Sequence, residues 1–427
     1  MKIKPTSEKA KSASKVSSRS HLGEHVPQLR FPGFNGEWNC LKLNDFAERV
    51  TRKNGSTSDI PLTISAQHGL IDQRTFFSKA VASADMSGYY LLKNGEFAYN
   101  RSSSVEFPFG SIKRLDQYKA GAVSTLYICF GLRDQSPVSD FIKWYFDSSK
   151  WHREAGLICA EGARNHGLLN VPTVGFFNTV HHIPVNKDEQ EKIAVFLSLV
   201  DRRLTAQRRL VELLKKHKRG VIEQIFGRRL DMGENPEKWN VVELRDLFSK
   251  VARRNRGGKV KNVITNSAEF GLIPQRNFFD KSIAVDGNTD GYYVIRTGDF
   301  VYNPRKSTTA PFGPFNRYSG TEDGIISPLY TCLVPKGKAN SEYLAWYFRS
   351  TAWHRYVYDN GSQGARHDRV NMTDDLLFGI PVLLPPIAVQ ERIADGLNAI
   401  DARWSSANKV LAHLEKMKRG LLQQLFA

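Results

Sequence analysis

Residues 190–194, Gln190-Glu191-Lys192-Ile193-Ala194, open the stretch that decides the fold, because many of its residues occur again 200 residues later. The first copy runs to Phe226 and the second to Phe426. The residues that recur at +200 include Gln190, Glu191, Ile193, Ala194, Leu197, Asp201, Arg203, Lys218, Arg219, Gly220, Gln224 and Phe226. A spacing this long is the length of a whole domain, not of a solenoid unit. The sequence therefore predicts two copies of one domain.

Apolar residues along both copies alternate at spacings of four and three, which is the pattern of a coiled-coil seam over about five heptads. No proline interrupts either run. The apolar seam residues are Ile193, Leu197, Val200, Leu204, Val211, Leu214, Ile393, Leu397, Ile400, Leu411, Leu414 and Leu421. A helix over 188–226 would be roughly 57 Å long. Because such a helix must cover its apolar stripe, we predict that the two helices pair antiparallel. The alternative is that each packs on its own domain or on another subunit.

A globular block precedes each helix, and the two blocks also match. Short aromatic and β-branched runs punctuated by Gly, Asn, Asp and Pro predict strands and turns, and 140–149 and 341–350 read as helices. The shared motifs are Gly-Tyr-Tyr (88–90, 291–293), Pro-Phe-Gly (108–110, 311–313), Leu-Tyr (126–127, 329–330), Trp-Tyr-Phe (144–146, 346–348), Trp-His-Arg (151–153, 353–355) and a closing Ile-Pro-Val (183–185, 380–382). The predicted class is α+β: two similar mixed α/β domains separated by two long helices that form an antiparallel coiled coil, with a pseudo-two-fold internal repeat.

Composition points to a polyanionic partner. The formal charge is +18 and the pI about 9.7, which favours nucleic acid first and an anionic membrane second. No apolar run approaches the roughly 20 residues of a membrane span, and the N-terminus has no secretory pattern, so we expect a soluble cytoplasmic protein without membrane association. Residues 1–25 are rich in Lys and Ser and are predicted to be a flexible basic arm.

Catalytic and metal-binding signatures are not found in the sequence. It contains no phosphate loop, no dinucleotide fingerprint and no His-Glu-x-x-His helix. None of the four cysteines forms a Cys-x-x-Cys pair, so no zinc site is expected, and Cys129 and Cys332 are predicted to be buried thiols. His181 and His182 are adjacent and would face opposite sides of a strand. We therefore predict a non-catalytic binding protein that itself holds no metal and no cofactor.

Candidate DNA contacts are polar and basic residues of the globular blocks, because Arg can pair with guanine and Asn or Gln with adenine. They are Gln73, Arg74, Asn100, Arg101, Arg164, Asn165, His166, Gln275, Arg276, Asn303, Arg305, Lys306, Arg366 and His367. In the comparison of the copies, Gln73-Arg74 matches Gln275-Arg276, and Asn100-Arg101 matches Asn303 with Arg305-Lys306. Residues that agree between the copies are expected to serve the fold or phosphate contacts. Sequence reading is expected where the copies diverge: 51–61 against 252–261, 105–119 against 309–322, and 164–169 against 366–370.

Across nearly its whole length the chain resembles the DNA specificity subunits of type I restriction–modification systems. The resemblance is carried by the two Trp-initiated blocks, the Gly-aromatic runs, the Gln-Glu-x-Ile-Ala helical repeats and the Lys-Arg-Gly-x4-Phe helix endings, all in order and twice. The basic arm is not required by the family pattern, and its role stays open.

The resemblance implies a domain plan: target-recognition domain 1 at 26–187, a central helical spacer at 188–230, target-recognition domain 2 at 231–386 and a C-terminal helical spacer at 387–427. Each domain would read half of a split site in double-stranded DNA, and the helices would set the gap. Two modification (methyltransferase) subunits and the restriction (motor-nuclease) subunits are the implied partners. S-adenosylmethionine, ATP and Mg²⁺ would be bound by those partners. Two domains about one helical turn, roughly 34 Å, apart would meet the same face of the duplex.

Two other functions are compatible with the residues alone. One is a stand-alone DNA-binding regulator or architectural protein with two DNA-reading domains, which would bind its duplex tightly without a methyltransferase. The other is an enzyme, such as a nuclease, with an unrecognised site.

Overall fold

The computed structural model describes residues 26–65, 69–76, 85–159, 167–227, 239–275, 289–361 and 368–427. The chain divides into two compact units. Unit 1 comprises Met1–Ala206 and Leu411–Ala427, and unit 2 comprises Gln207–Val410. Each unit therefore combines one globular part with a segment of each long helix. The proposed domain boundaries at 26–187 and 231–386 stay predictions.

The elements of the first copy alternate short strands with short helices before one long helix. In chain order they are β1 (Asn39–Lys42), α1 (Leu43–Phe46), β2 (Ala47–Arg49), β3 (Leu62–Ser65), β4 (Gly69–Asp72), α2 (Gln73–Phe76), β5 (Tyr90–Lys93), β6 (Phe97–Asn100), β7 (Ser111–Arg114), β8 (Ala120–Val123), β9 (Ile128–Leu132), α3 (Ser139–Asp147), α4 (His152–Ile158), α5 (Thr173–Phe177), β10 (Val180–Ile183) and α6 (Lys187–Phe226).

The second copy repeats this order across its described residues. Its elements are β11 (Asn240–Glu243), α7 (Leu244–Leu247), β12 (Phe248–Lys250), β13 (Ile264–Ser267), β14 (Gly271–Pro274), β15 (Tyr293–Ile295), β16 (Phe300–Tyr302), β17 (Phe315–Arg317), β18 (Gly324–Ile326), β19 (Thr331–Pro335), α8 (Ser341–Phe348), α9 (His354–Asn360), α10 (Asp374–Phe378), β20 (Pro381–Leu384) and α11 (Ile387–Gln424).

The sheets also match strand for strand. Unit 1 has a four-stranded sheet in the order β2-β9-β6-β7 and the pairs β1-β10, β3-β4 and β5-β8; unit 2 has β12-β19-β16-β17 with β11-β20, β13-β14 and β15-β18. Each of these strand pairings is antiparallel. The predicted class of two similar mixed α/β copies with two long helices is confirmed.

Aromatic side chains from the shared motifs build each core. In unit 1, Phe141 and Tyr145 of α3 contact Phe426, with ring centroids 5.3 and 5.8 Å apart. In unit 2, Tyr343 and Tyr347 of α8 contact Phe226, both at 5.6 Å. Each long helix therefore ends in the core of the copy that it does not follow in sequence. This accounts for a phenylalanine at the end of both helical repeats.

The segments of the long helices that share a unit run antiparallel. In unit 2, Gln207 Nε2 donates to Ala407 O at 2.8 Å and Lys218 Nζ to Asp401 Oδ1 at 2.7 Å, so rising numbers on α6 face falling numbers on α11. In unit 1, Lys418 Nζ donates to Asp201 Oδ1 at 2.5 Å. Gln207 and Lys218 follow the same spacing of four and three as the apolar seam residues, but they are polar. Their partners lie on the opposite helix, so neither polar group is buried without a hydrogen bond.

The apolar seam residues are withdrawn from solvent. Ile193, Leu197, Val200, Leu204, Val211, Leu214, Ile393 and Leu397 are buried, and Ile400, Leu411, Leu414 and Leu421 are half-buried. The burial follows the spacing of four and three that an apolar seam requires.

At the end of the two globular blocks, the structure aligns different residues from those that the sequence comparison aligned. Ile183 pairs with Asn39, and in unit 2 the strand equivalent of Asn39, Asn240, pairs with Leu384. Ile183 therefore corresponds to Leu384 and not to Ile380, so the matching of the two Ile-Pro-Val tripeptides is wrong. Pro381 is instead the first residue of β20, a position where a strand tolerates proline.

One shared glycine is required by close backbone contact. Gly110 has φ +76° and Gly313 has φ +82°, and a Cβ at either position would clash with the carbonyl oxygen of Asn100 or Asn303. Tyr99 and Tyr302 hold the same turn by donating to the carbonyls of Phe109 and Phe312 at 2.8 and 2.9 Å. The Pro-Phe-Gly motif thus serves the fold.

Candidate nucleic-acid interface

Gln73 and Arg74 lie at the end of the β3–β4 hairpin. Gln73 N donates to Pro61 O at 2.7 Å, and Gln275 N repeats this bond to Val263 O at 2.8 Å. The Arg74 side chain is 55 % exposed and lies 2.7 Å from Asp72. Its hydrogen bonds are the main cause that lowers the pKa of Asp72. The Arg74 side chain is exposed, and its backbone is held in place by the neighbouring hydrogen bond of Gln73. A DNA contact by its guanidinium stays a prediction.

Asn100 and Asn303 form turns. Asn100 Oδ1 accepts from Ser102 N, and Asn303 Oδ1 accepts from Arg305 N, both at 3.0 Å. Asn303 is buried, and its Nδ2 donates to Asn266 O at 3.3 Å. The Asn303 side-chain amide is therefore used in hydrogen bonds to backbone groups of Arg305 and Asn266, and the bond to the residue two positions later is typical of Asn in a turn. Base contact is better sought among the exposed neighbours.

The arginines that follow these turns occupy different positions in the two units. Leu169 N donates to Arg101 O and Val370 N to Pro304 O, both at 2.9 Å, so Arg101 corresponds to Pro304. Arg305 consequently corresponds to Ser102. The sequence comparison treated Arg101 and Arg305 as one shared feature, and that part of it is wrong. The two units present different side chains from the same backbone.

The remaining residues of this turn also differ between the units. Lys306 N donates to Asp368 O at 2.8 Å, in the position where Ser103 N donates to Gly167 O. The Arg305 side chain is 69 % exposed and lies 3.7 Å from Asp368. The two units therefore present different exposed side chains at this turn.

The predicted variable segments 51–61 and 252–261 begin with a shared scaffold. Arg52 pairs with Glu96 and Arg253 with Asp299. Lys53 and Arg254 extend the match, because they donate to the carbonyls of Gly88 and Gly291 and lie over the rings of Tyr90 and Tyr293, respectively. These basic residues are therefore engaged in structural contacts in both units.

A buried asparagine then anchors each loop. Asn54 and Asn255 are both 2 % exposed. Asn54 exchanges hydrogen bonds with the backbone of Ser58 at 3.0 and 3.1 Å, and Asn255 with that of Val260 at 3.0 Å. Real divergence is thus confined to the loops 55–59 and 256–261.

The two loops differ in charge. Loop 55–59 carries one charged residue, Asp59, whereas loop 256–261 carries Arg256, Lys259 and Lys261, all exposed. A Cβ on Gly258 would lie 3.5 Å from Lys261 Nζ and 3.8 Å from Asp290, so Lys261 folds back beside a carboxylate. Within the described residues neither Arg256 nor Lys259 has an ion-pair partner. These two cations are available to phosphate groups.

The described residues show neither a metal-binding cluster nor a reactive buried thiol. Among the described residues no three His, Cys, Asp or Glu side chains form a metal-binding cluster. Burial raises the pKa of Cys129 and of Cys332 to about 12, so both buried thiols stay protonated and unreactive. Burial also lowers the pKa of His181 to about 3.

None of the helices in the described ranges is long and apolar enough to span a membrane.

Comparisons with known proteins point to one family. No family model matches the chain. Over 265 residues it is 26 % identical to a protein described as the MjaX type I restriction enzyme specificity subunit of Methanocaldococcus jannaschii, with 56 % of each chain covered, so it spans just over half of that relative. A chain from a structure that describes complex assembly and conformational transition of the type I R-M system superposes with a TM-score of 0.56 at 15 % identity, covering 94 % of this chain and 99 % of that one. The type I restriction–modification S subunit from M. genitalium superposes with a TM-score of 0.52 at 14 % identity and the same coverage.

The chain has the fold of a type I S subunit. The resemblance inferred from the repeated motifs is confirmed by these comparisons. Within the S-subunit fold, several predicted contacts lie outside the described residues: Arg164, Asn165, His166, Arg276, Arg366 and His367, together with the basic arm 1–25. Arg256 and Lys259 were missed as individual candidates. Their signal was a gain of cations in one copy of an otherwise matched segment.

Proposed function

We propose that this chain is the non-catalytic, sequence-specific DNA-binding subunit that directs a type I restriction–modification complex, an adenine methyltransferase and endonuclease, to a bipartite DNA site in the cytoplasm. One observation carries the proposal. Two units share every described sheet, yet they differ in the exposed loops on that scaffold, such as 55–59 and 256–261. A pair of readers for two different half-sites needs this combination.

Charge supports duplex DNA as the target. The excess of 18 positive charges supplies sequence-independent phosphate affinity. Exposed side chains with bidentate reach, such as Arg74 and Arg305, then contribute base or backbone contacts. Base contacts select the sequence, and phosphate contacts fix the register.

The long helices support a role in spacing and assembly. The 40 residues of α6 span about 60 Å, and we propose that the paired helices set the gap between the half-sites. Exposed apolar side chains remain on the outer face of α6: Val195 and Leu199 in unit 1, and Leu210 and Leu213 in unit 2. We propose that two modification subunits dock on such surfaces, one for each unit, and that restriction subunits join through them.

Chemistry belongs to those partners in this proposal. S-adenosylmethionine would be bound by the modification subunits, and ATP and Mg²⁺ by the restriction subunits. This chain would contribute the choice of site. Truncating an exposed apolar pair, Leu210 and Leu213, to Ala should weaken co-purification of a modification subunit and leave the fold intact.

Exchanging globular parts tests the proposal. Residues 26–187 would be replaced by the corresponding block of another S subunit, and methylated motifs in genomic DNA would be sequenced. The expected result is a change in one half of the motif only, with the other half and the gap unchanged. A change in both halves or in neither would contradict modular reading. Specific DNA binding without any methylation would favour the stand-alone regulator.

A further inference from the structure

A leucine stands exposed on the same turn in both units. Leu126 is 58 % exposed and Leu329 is 60 % exposed. Leu126 N donates to Ser124 Oγ and Leu329 N to Ser327 Oγ, each at 3.3 Å. The turn connects β8 to β9 in unit 1 and β18 to β19 in unit 2. Its backbone geometry is therefore the same in the two copies.

The tyrosine that follows each leucine anchors the turn to the core of its unit. Tyr127 N donates to Ser124 O and Tyr330 N to Ser327 O, both at 3.1 Å. Both rings pack against the apolar core of their unit. The Tyr127 hydroxyl lies 3.5 Å from Thr63 Oγ1, and burial raises the pKa of Tyr330. The tyrosine fixes the turn, so the leucine is held outward on a rigid base.

Two more strongly exposed apolar residues of the globular parts are not kept between the copies. Leu157 on α4 is 75 % exposed, and its counterpart on α9 is Asp359. Val174 on α5 is 76 % exposed, and its counterpart on α10 is Asp375. Side chains that are 58 and 60 % exposed contribute little to the core, so core packing does not account for the agreement at Leu126 and Leu329. The shared leucine therefore points to a shared contact outside the chain.

Arginines lie near the leucine turns. In unit 1, Arg101 Nη2 donates to the Leu126 carbonyl at 2.9 Å. In unit 2, Arg305 and Arg369 face each other across an isolated β-bridge. Burial raises the pKa of Tyr330, the residue next to Leu329, and the positive charges of these two arginines oppose that rise. An apolar tip with arginines nearby suits a polyanion with an apolar interior, which is the chemistry of duplex DNA.

We propose that Leu126 and Leu329 are DNA wedges, each packing against a base step or sugar of its half-site without reading its sequence. This inference rests on the proposed function. Two units that read different half-sites need different reading residues, whereas the same leucine on the same turn suits a contact that every sequence offers. Apolar wedges of this kind partly unstack a base step, and neighbouring arginines hold the backbone. The differing neighbours Arg101 and Arg305 are then the residues placed to discriminate.

The test uses the full chain. A duplex is first selected from a random pool by the wild-type chain in complex with its modification subunits. Affinity and permanganate reactivity of its thymines, which rises on unstacking, are then measured for Leu126→Ala, Leu329→Ala and the control Leu157→Ala. Each wedge variant should lose about tenfold in affinity, the size expected for one lost stacking contact. It should also lose reactive thymines in one half-site only and select the same sequence. The control should match the wild type.

Three outcomes would overturn the inference. If Leu126→Ala and Leu329→Ala had the same affinity and thymine reactivity as the control, the wedge role would be contradicted, whereas the proposed function would be unaffected. Selection of a different sequence by Leu126→Ala would make the leucine a reading residue. A wild-type complex that selects no sequence from the pool would overturn the proposed function, and the wedge with it.

Discussion

Lys218 Nζ lies 2.7 Å from Asp401 Oδ1 in unit 2, and the two positions exchange helices in unit 1, where Lys418 Nζ lies 2.5 Å from Asp201 Oδ1. Each ammonium also lies over an indole ring, Lys218 over Trp404 at 4.1 Å and Lys418 over Trp144 at 4.7 Å. A lysine held by both a carboxylate and an aromatic face has one favoured position. The pair therefore fixes the register of the antiparallel helices within each unit.

Reversing one charge of this pair should weaken unit 2. Lys218→Glu places two carboxylates together, and because both side chains are partly exposed we expect a loss of about 1 kcal/mol of unfolding free energy in urea. Adding Asp401→Lys should recover most of that loss. The control Lys216→Glu, on an exposed position of the same helix, should change little. Equal effects of Lys218→Glu and Lys216→Glu would show that the pair does not hold the register.

Neighbouring leucines on α6 offer a sharper contrast. Leu214 is 8 % exposed and Leu213 is 55 % exposed. Leu214→Asp buries an unpaired charge and should cost about 3 kcal/mol or more, whereas Leu213→Asp should stay within about 0.5 kcal/mol. Urea denaturation measures both. If the helices set the gap, Leu214→Asp should also disturb methylation at the normal spacing, and unchanged methylation would contradict that role.

Acid should destabilise unit 1 through His181. This residue is buried against Tyr145 and Thr179, and burial lowers its pKa to about 3 from an ordinary value of 6.5. Below about pH 6.5 the unfolded chain binds a proton that the folded chain refuses, so stability falls as pH falls, by up to about 1.4 kcal/mol per pH unit.

The chain supplies the control for that pH effect. The strand position of His181 is occupied by the buried Val382 in unit 2. His181→Val should lose stability at neutral pH, because Tyr145 loses its partner, yet its stability should fall less steeply between about pH 7 and pH 5. Urea denaturation across this range measures the slope. An unchanged slope would show that His181 is protonated in the folded state.

The basic loop of unit 2 should contribute salt-dependent affinity. Changing Arg256 and Lys259 together to Ser removes two cations without a protein partner among the described residues. The slope of log affinity against log salt should fall by about two, with sequence preference unchanged. Binding to the selected duplex at several salt concentrations measures it. The control Lys409→Ser, on an exposed position of α11, should leave the slope unchanged, and an equal effect of both variants would deny the loop a phosphate contact.

Much of the architecture was predictable because it is repeated and periodic. The seam spacing predicted a helix from 188 to 226, and α6 runs over Lys187–Phe226. The predicted helices 140–149 and 341–350 correspond to α3 and α8. Helices of four or five residues, such as α1 and α5, span about one turn and leave no periodic pattern to detect.

The candidate site was less predictable, because it depends on backbone register in divergent loops. Sequence comparison placed Arg101 opposite Arg305, yet backbone hydrogen bonds place Arg101 opposite Pro304. It also treated Lys53 as part of a variable segment, although Lys53 and Arg254 make the same contacts. Exposure of the side chain cannot be predicted from the sequence match. Leu126 and Leu329 match in sequence like many core residues, and only their position outside the core makes them candidate contacts.

The most direct measurement of the central claim is single-molecule sequencing of methylated genomic DNA with the gene present, deleted and restored. We expect adenine methylation at one bipartite motif, two short half-sites separated by a fixed gap, to be lost on deletion and to return on restoration. Persistence of every methylated motif after deletion would contradict the claim that this chain selects the site of modification.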